Sequence, residues 1–72
     1  MKTKYKYIEF KKGLDPKTWD CLNRRSKNIL CGIAFHPTWK QWVMETDHCV
    51  DSIFNNSCLL DIVDFINQLN KT

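Results

Sequence analysis

The sequence predicts an α+β domain: a three- to four-stranded antiparallel sheet packed on one C-terminal α-helix. Three observations carry that expectation. Residues 18–23 and 29–36 alternate apolar and polar side chains with a period of two, as half-buried strands do. Residues 56–70 instead repeat their apolar side chains at i, i+3, i+4 and i+7, the pattern of a helix with one buried stripe. Between the periodic stretches stand short runs of turn-forming residues.

Residues 4–10, Lys-Tyr-Lys-Tyr-Ile-Glu-Phe, are rich in aromatic and β-branched types and read as the first strand. The alternation leaves open whether Tyr5 and Tyr7 or Ile8 and Phe10 face the core. Gly13 and Asp15-Pro16 end the strand, because glycine and proline are turn residues and proline has no N–H for a central ladder. In the second strand, residues 18–23, Trp19 and Cys21 share a face. Arg24 to Asn28 make a polar connection of hairpin length, in which Asn28 suits a positive φ. The third strand, residues 29–36, sets Ile29, Cys31, Ile33 and Phe35 on one face and Gly32, a candidate bulge or close approach, on the other.

Consistency of faces suggests a register. Cys21 opposite Cys31 places Trp19 opposite Ile33 and Leu22 opposite Leu30. His36-Pro37-Thr38-Trp39 is a turn, and residues 40–45 are the fourth strand. Phe35 opposite Lys40 then sets Ile33 against Trp42 and Cys31 against Met44, with Trp42 and Met44 in the core. Asn55-Asn56-Ser57 supplies the helix N-cap. The predicted stripe is Cys58, Leu59, Ile62, Phe65, Ile66 and Leu69. Asp61, Asp64, Asn67 and Gln68 lie outside it, Asp61 near the helix start and Lys71 near its end, as the helix dipole favours.

Size and composition narrow the function. The 72 residues fit one domain, whose core supplies about 3–5 kcal/mol. Aromatics at 12% help, since each buries much area. No apolar run approaches the ~20 residues of a membrane span, and no apolar stretch follows the basic start, so a cytoplasmic protein that does not engage a membrane is expected. Cys21, Cys31, Cys49 and Cys58 lack CxxC spacing, so no metal and no cofactor is expected. His48-Cys49 with Cys58 is the arrangement closest to a metal site. Cys31 and Cys58 read as small buried hydrophobes, and Cys21 and Cys31 as reduced thiols.

No catalytic residues emerge. His36 and His48 sit in loops without a spacing that demands a nucleophile beside them. The only glycines, Gly13 and Gly32, make no phosphate loop. Asp61 and Asp64 share a solvated helix face. An enzyme is therefore not expected.

Charge is strongly asymmetric. Residues 1–40 hold ten Lys/Arg and three Asp/Glu, a charge of +7, whereas residues 41–72 hold one Lys and five Asp/Glu, a charge of −4. Two binding functions follow. The outer sheet face, with Leu22, Leu30 and Val43 and with Tyr5 and Tyr7 if the first strand turns them that way, offers an apolar patch to a partner protein or a second copy of the chain. The acidic half, Glu45, Asp47, Asp51, Asp61 and Asp64, would mimic phosphates toward a basic partner. Alternatively, Lys4, Lys6, Lys11, Lys12, Arg24, Arg25 and Lys27 would contact nucleic acid, with exposed tyrosines or Trp39 stacking on bases.

The order Tyr7-Ile8-Glu9-Phe10, Trp19, Asn23-Arg24, Leu30-Cys31-Gly32-Ile33, Trp39-Lys40-Gln41-Trp42 and Cys58-Leu59-Leu60-Asp61-Ile62 with Phe65-Ile66 resembles a group of small uncharacterised proteins of bacteriophages and bacterial mobile elements. Members of that group usually carry Leu-Gly at Cys31-Gly32 and often Gly near Lys27. The group brings no active site to transfer. The resemblance implies a setting in which genes of this size often encode inhibitors of host defence, such as anti-CRISPR proteins, or small regulators. Together with the sheet face and the charge split it leads to the expectation of a non-enzymatic protein that binds and occludes a host protein, the alternative being a DNA-binding accessory or regulator that uses the basic strands.

Overall fold

The computed structural model describes residues 1–46 and 53–71. It is a four-stranded antiparallel sheet in the order β1-β2-β3-β4, covered on one face by a C-terminal helix. The elements are β1 (Ile8–Lys12), β2 (Thr18–Asn23), β3 (Ile29–His36), β4 (Gln41–Glu45) and α1 (Asn56–Asn70). The expected fold class is the observed one. His48, Cys49, Asp47 and Asp51, weighed above as metal, catalytic or acidic contacts, lie outside the described residues.

The core lies between sheet and helix. Phe65 is fully buried, stacks on Phe10 with ring centroids 3.9 Å apart, and meets the edge of Trp19 at 5.2 Å. Ile8, Cys21, Cys31 and Ile33 from the sheet, Tyr5 from the N-terminal residues and Cys58, Ile62 and Leu69 from the helix complete it. Trp19, Leu30, Trp42, Phe54 and Ile66 are packed against them, Leu30 contrary to its expected place on the outer face alone. Such aromatic contacts add about 0.5–1.5 kcal/mol each beyond their burial. Leu59, expected in the buried stripe, is exposed, and the stripe is narrower by that residue. Asn55 is the N-cap, its Oδ1 accepting from Cys58 N at 2.8 Å. Asp61 does not serve the helix dipole, since no acidic residue occupies the first turn.

The first strand differs most from expectation. Residues 4–10 do not run straight. The chain reverses at Lys6-Tyr7: Tyr5 N donates to Ile8 O and Phe10 N to Thr3 O, and Lys4 bridges Glu9. The N-terminal residues thus cover the outer edge of β1, a protection an edge strand needs. Both Tyr5 and Phe10 face the core, their rings edge to face at 5.8 Å. The alternation of Lys and Tyr has no turn signal at its centre. Tertiary hydrogen bonds set the reversal instead, Arg24 Nη1 donating to Tyr5 O at 2.8 Å and Arg24 N to Tyr7 O at 2.9 Å.

Two registers also shift. Cys21 faces Cys31 and Trp19 faces Ile33 as expected, but Leu22 faces Ile29 rather than Leu30, through an irregularity between Cys21 and Leu22. Ile29, expected on the core face, is consequently exposed. In the next hairpin Phe35 pairs with Trp42 and Ile33 with Met44, two residues from the expected register. The turn occupies residues 37–40, with Trp39 N donating to His36 Nδ1 and Lys40 in the left-handed region at φ 54°. A slip of two keeps every side chain on its face. It carries Met44 toward the strand end, where it is 38% exposed rather than in the core. The positive φ of the preceding hairpin falls on Lys27 (66°), not on Asn28.

The glycines differ in their roles. A side chain at Gly13 would run into Thr18, whose Oγ1 is bound to Asp15 O. Gly32 has no such neighbour, only Glu45 O at 3.9 Å, so it marks neither a bulge nor a close approach.

Two carboxamides tie the last helical turn to the flanks of the sheet. Gln68 accepts from Lys2 N at 2.8 Å and donates to Lys2 O at 3.0 Å. Asn70 accepts from Trp42 N at 2.7 Å and donates to Trp42 O at 3.4 Å. Each side chain satisfies a donor and an acceptor on one residue, as a neighbouring strand would. The helix is thereby fixed against both the N-terminal arm and β4.

Candidate nucleic-acid interface

The sheet-face patch expected from the sequence does not form as drawn. Leu22 is only 7% exposed and Tyr5 only 5%. Leu22 lies between Glu9 and Ile29 across the two ladders, and Lys27 reaches Glu9 at 2.6 Å, so that corner of the face is covered. Tyr5 is carried to the core by the reversal at residues 6–7, where its hydroxyl donates to Asp64 Oδ2 at 2.7 Å. Burial and the Asp64 carboxylate together push its phenol up, favouring the neutral form. Leu30 and Val43 are half-buried. Tyr7 alone of the five is markedly open, at 45% exposed.

Antiparallel order sends the two chain reversals at residues 5–8 and 24–28 to one end of the sheet. Between them lies a shallow cleft of about 430 Å³, lined by Lys6, Tyr7, Asn23, Arg24 and Arg25. One wall is set locally and the other by tertiary bonds. Asn23 begins the second turn, its Oδ1 accepting from Arg25 N at 2.9 Å and from Ser26 N at 3.0 Å, a usual role for asparagine. Arg24 joins the turns through the two bonds to Tyr5 O and Tyr7 O. Its guanidinium is held in place while other N–H donors remain. Lys6 lies over the Tyr7 ring, Nζ 5.2 Å from the centroid, a cation–π contact on a half-open ring.

The expected cations therefore separate. Lys6, Arg24 and Arg25 meet at the cleft. Lys27 is neutralised by Glu9, whose carboxyl it holds below the usual range chiefly through their hydrogen bond, against the opposing effect of burial. Lys4 stands opposite Glu9, and Lys11 of β1 opposite Asp20 of β2. Lys12 is engaged at the other end, donating to Pro16 O at 2.6 Å and lying over Trp19. Asn23 escaped the sequence reading, and an Asn-Arg-Arg run closing a strand was the signal that could have found it.

Other surfaces are chemically plainer. Cys21, Cys31 and Cys58 are buried thiols outside any disulfide. Among the described residues no three His, Cys, Asp or Glu side chains gather as metal ligands would. Nor is any described helix long and apolar enough to cross a membrane. Outside the core, Leu59, Leu60 and Val63 make an exposed strip on the helix, and Trp39 stands 63% exposed on the β3–β4 turn, stacked on His36. Comparison of the chain with protein-family models found no match, and comparisons with curated proteins and with solved structures found none either.

Proposed function

We propose that this chain is a binding protein whose ligand is nucleic acid, engaged through its phosphates at the basic cleft. The observation that carries this reading is the convergence of Lys6, Arg24 and Arg25 around an open tyrosine ring. Arginine forks suit phosphate oxygens, and a held guanidinium loses less freedom on binding. With about three phosphates neutralised, log affinity for DNA should fall with log salt at a slope of about −2 to −3. Fluorescence anisotropy with a labelled oligonucleotide from 50 to 200 mM salt measures that slope. Replacing Lys6 and Arg25 together with Ala should weaken binding and flatten it. Absence of binding at low salt, or a double variant that binds as the parent does, would overturn the proposal.

A second reading, occlusion of a host protein in a phage or mobile-element setting, is favoured by a different surface. Leu59, Leu60 and Val63 are exposed side by side on α1, and contiguous apolar surface marks partner sites more often than scattered residues do. On that reading Leu60→Glu abolishes capture of a host protein and leaves oligonucleotide binding intact.

A further inference from the structure

We propose that the cleft is selective for single-stranded over duplex nucleic acid, by stacking one unpaired base on Tyr7 while Lys6, Arg24 and Arg25 hold its flanking phosphates. This rests on the nucleic-acid reading above and narrows it. A purely electrostatic site needs no aromatic wall, yet here the ring is a lining group, about half open, with Lys6 against it. Duplexes hide the faces of their bases. Unpaired bases present them, and stacking on aromatic side chains tolerates any base.

The shape argues the same way. Duplex readers insert a helix or a two-stranded ribbon into a groove about 12 Å wide. The helix of this chain carries Asp61 and Asp64 and is packed on the sheet. The outer sheet face mixes charges, with Lys11, Asp20 and Glu45 in one row of the ladder. Neither is a duplex-reading surface. The cleft lies instead at the sheet's end, and its 430 Å³ suits a small ligand group rather than a groove. Asn23 lines it as well, its oxygen committed to the turn, which leaves the carboxamide nitrogen as a donor for a base acceptor.

The test compares a labelled twelve-residue oligothymidylate, the duplex formed from it and inorganic polyphosphate as probes of the whole chain at 50 mM salt. The oligothymidylate should bind at least tenfold more tightly than the duplex. Tyr7→Leu should weaken oligothymidylate binding by about 5- to 150-fold, the range for loss of one stacked base. The same change should leave polyphosphate binding within twofold, and Tyr7→Phe should restore oligothymidylate binding. Arg25→Ala should weaken both ligands. Far-UV circular dichroism confirms folding of each variant, and the retained ring of Tyr7→Phe keeps the test decisive if Tyr7→Leu loosens the turn. Equal affinity for single strand and duplex, or a Tyr7→Leu variant that binds oligothymidylate as before, would sink the stacking inference while leaving phosphate binding standing. If no polyanion binds, both proposals fall.

Discussion

The two ends of the sheet are both basic, yet they use their cations differently. At the end formed by residues 13–17 and 37–40, Lys12 donates to Pro16 O and lies over Trp19, and Lys17 lies over Phe35 at 5.1 Å. These ammonium groups lie over the protein's own rings, and Lys12 is also bound to a carbonyl. At the opposite end Arg24 ties two reversals together through backbone oxygens, and Lys6 and Arg25 stand with it around an open cleft. A count of lysines and arginines cannot separate these ends. Lys6 also lies over a ring, that of Tyr7, so what separates the ends is the open cleft that Lys6, Arg24 and Arg25 line together.

The largest way to break the contrast is at Arg24. Removing its guanidinium in Arg24→Ala takes away the side-chain bond to Tyr5 O, a charge-assisted bond whose loss costs about 1.5–3 kcal/mol. Urea denaturation should record that loss, and oligonucleotide affinity should fall with it. A change of similar size at the other end should leave affinity alone. Gly13→Ala drives a methyl group into Thr18 and should cost about 1–3 kcal/mol by the same denaturation assay, with no effect on binding. If Gly13→Ala weakened oligonucleotide binding, the assignment of function to one end would be wrong.

A smaller effect sharpens the comparison through the two left-handed lysines. At the opposite end from the cleft, Lys40 at φ 54° forms no ion pair among the described residues, so Lys40→Gly should raise stability by about 0.5–1 kcal/mol, read as a shift in the urea midpoint. At the cleft end, Lys27 at φ 66° also holds Glu9, so the backbone relief of Lys27→Gly is offset by the lost pair and its net gain should be the smaller. The least effect is the pH dependence of that pair. The Glu9 carboxyl is held below its ordinary range in the folded chain, so its contribution is present above the unfolded pKa and disappears as pH falls through the folded one. Denaturation from pH 6 down to pH 3 should show this loss, reduced in Glu9→Gln.

Legibility in the sequence followed how local each cause was. The two strands with clear alternation, Thr18–Asn23 and Ile29–His36, and the helix Asn56–Asn70 stand where their periodicity placed them. Each carries its signal in its own side chains. The first strand was read as straight because Lys-Tyr-Lys-Tyr has strand composition, and its reversal depends on Arg24 far along the chain. The helix surface was similarly misjudged in part. The periodicity sets Gln68 outside the buried stripe and gives Asn70 no role beyond ending the helix, yet they bond Lys2 and Trp42 at the two flanks of the sheet. Of the cleft, its cations and Tyr7 were legible, but scattered among other lysines and a second tyrosine that turned out to be engaged elsewhere.

The sequence by itself determined the fold class, the order of elements and the core contributions of β2 and α1 in large part, because hydrophobic periodicity is a property of neighbouring residues and specifies which face of each element leaves water. Only the tertiary structure decided which tyrosine is buried, which lysines are neutralised and where a cleft opens. Tyr5 and Tyr7 are two residues apart with the same side chain, yet one reaches Asp64 in the interior and the other faces solvent. That difference arises from hydrogen bonds between segments remote in sequence, whose geometry no local pattern encodes.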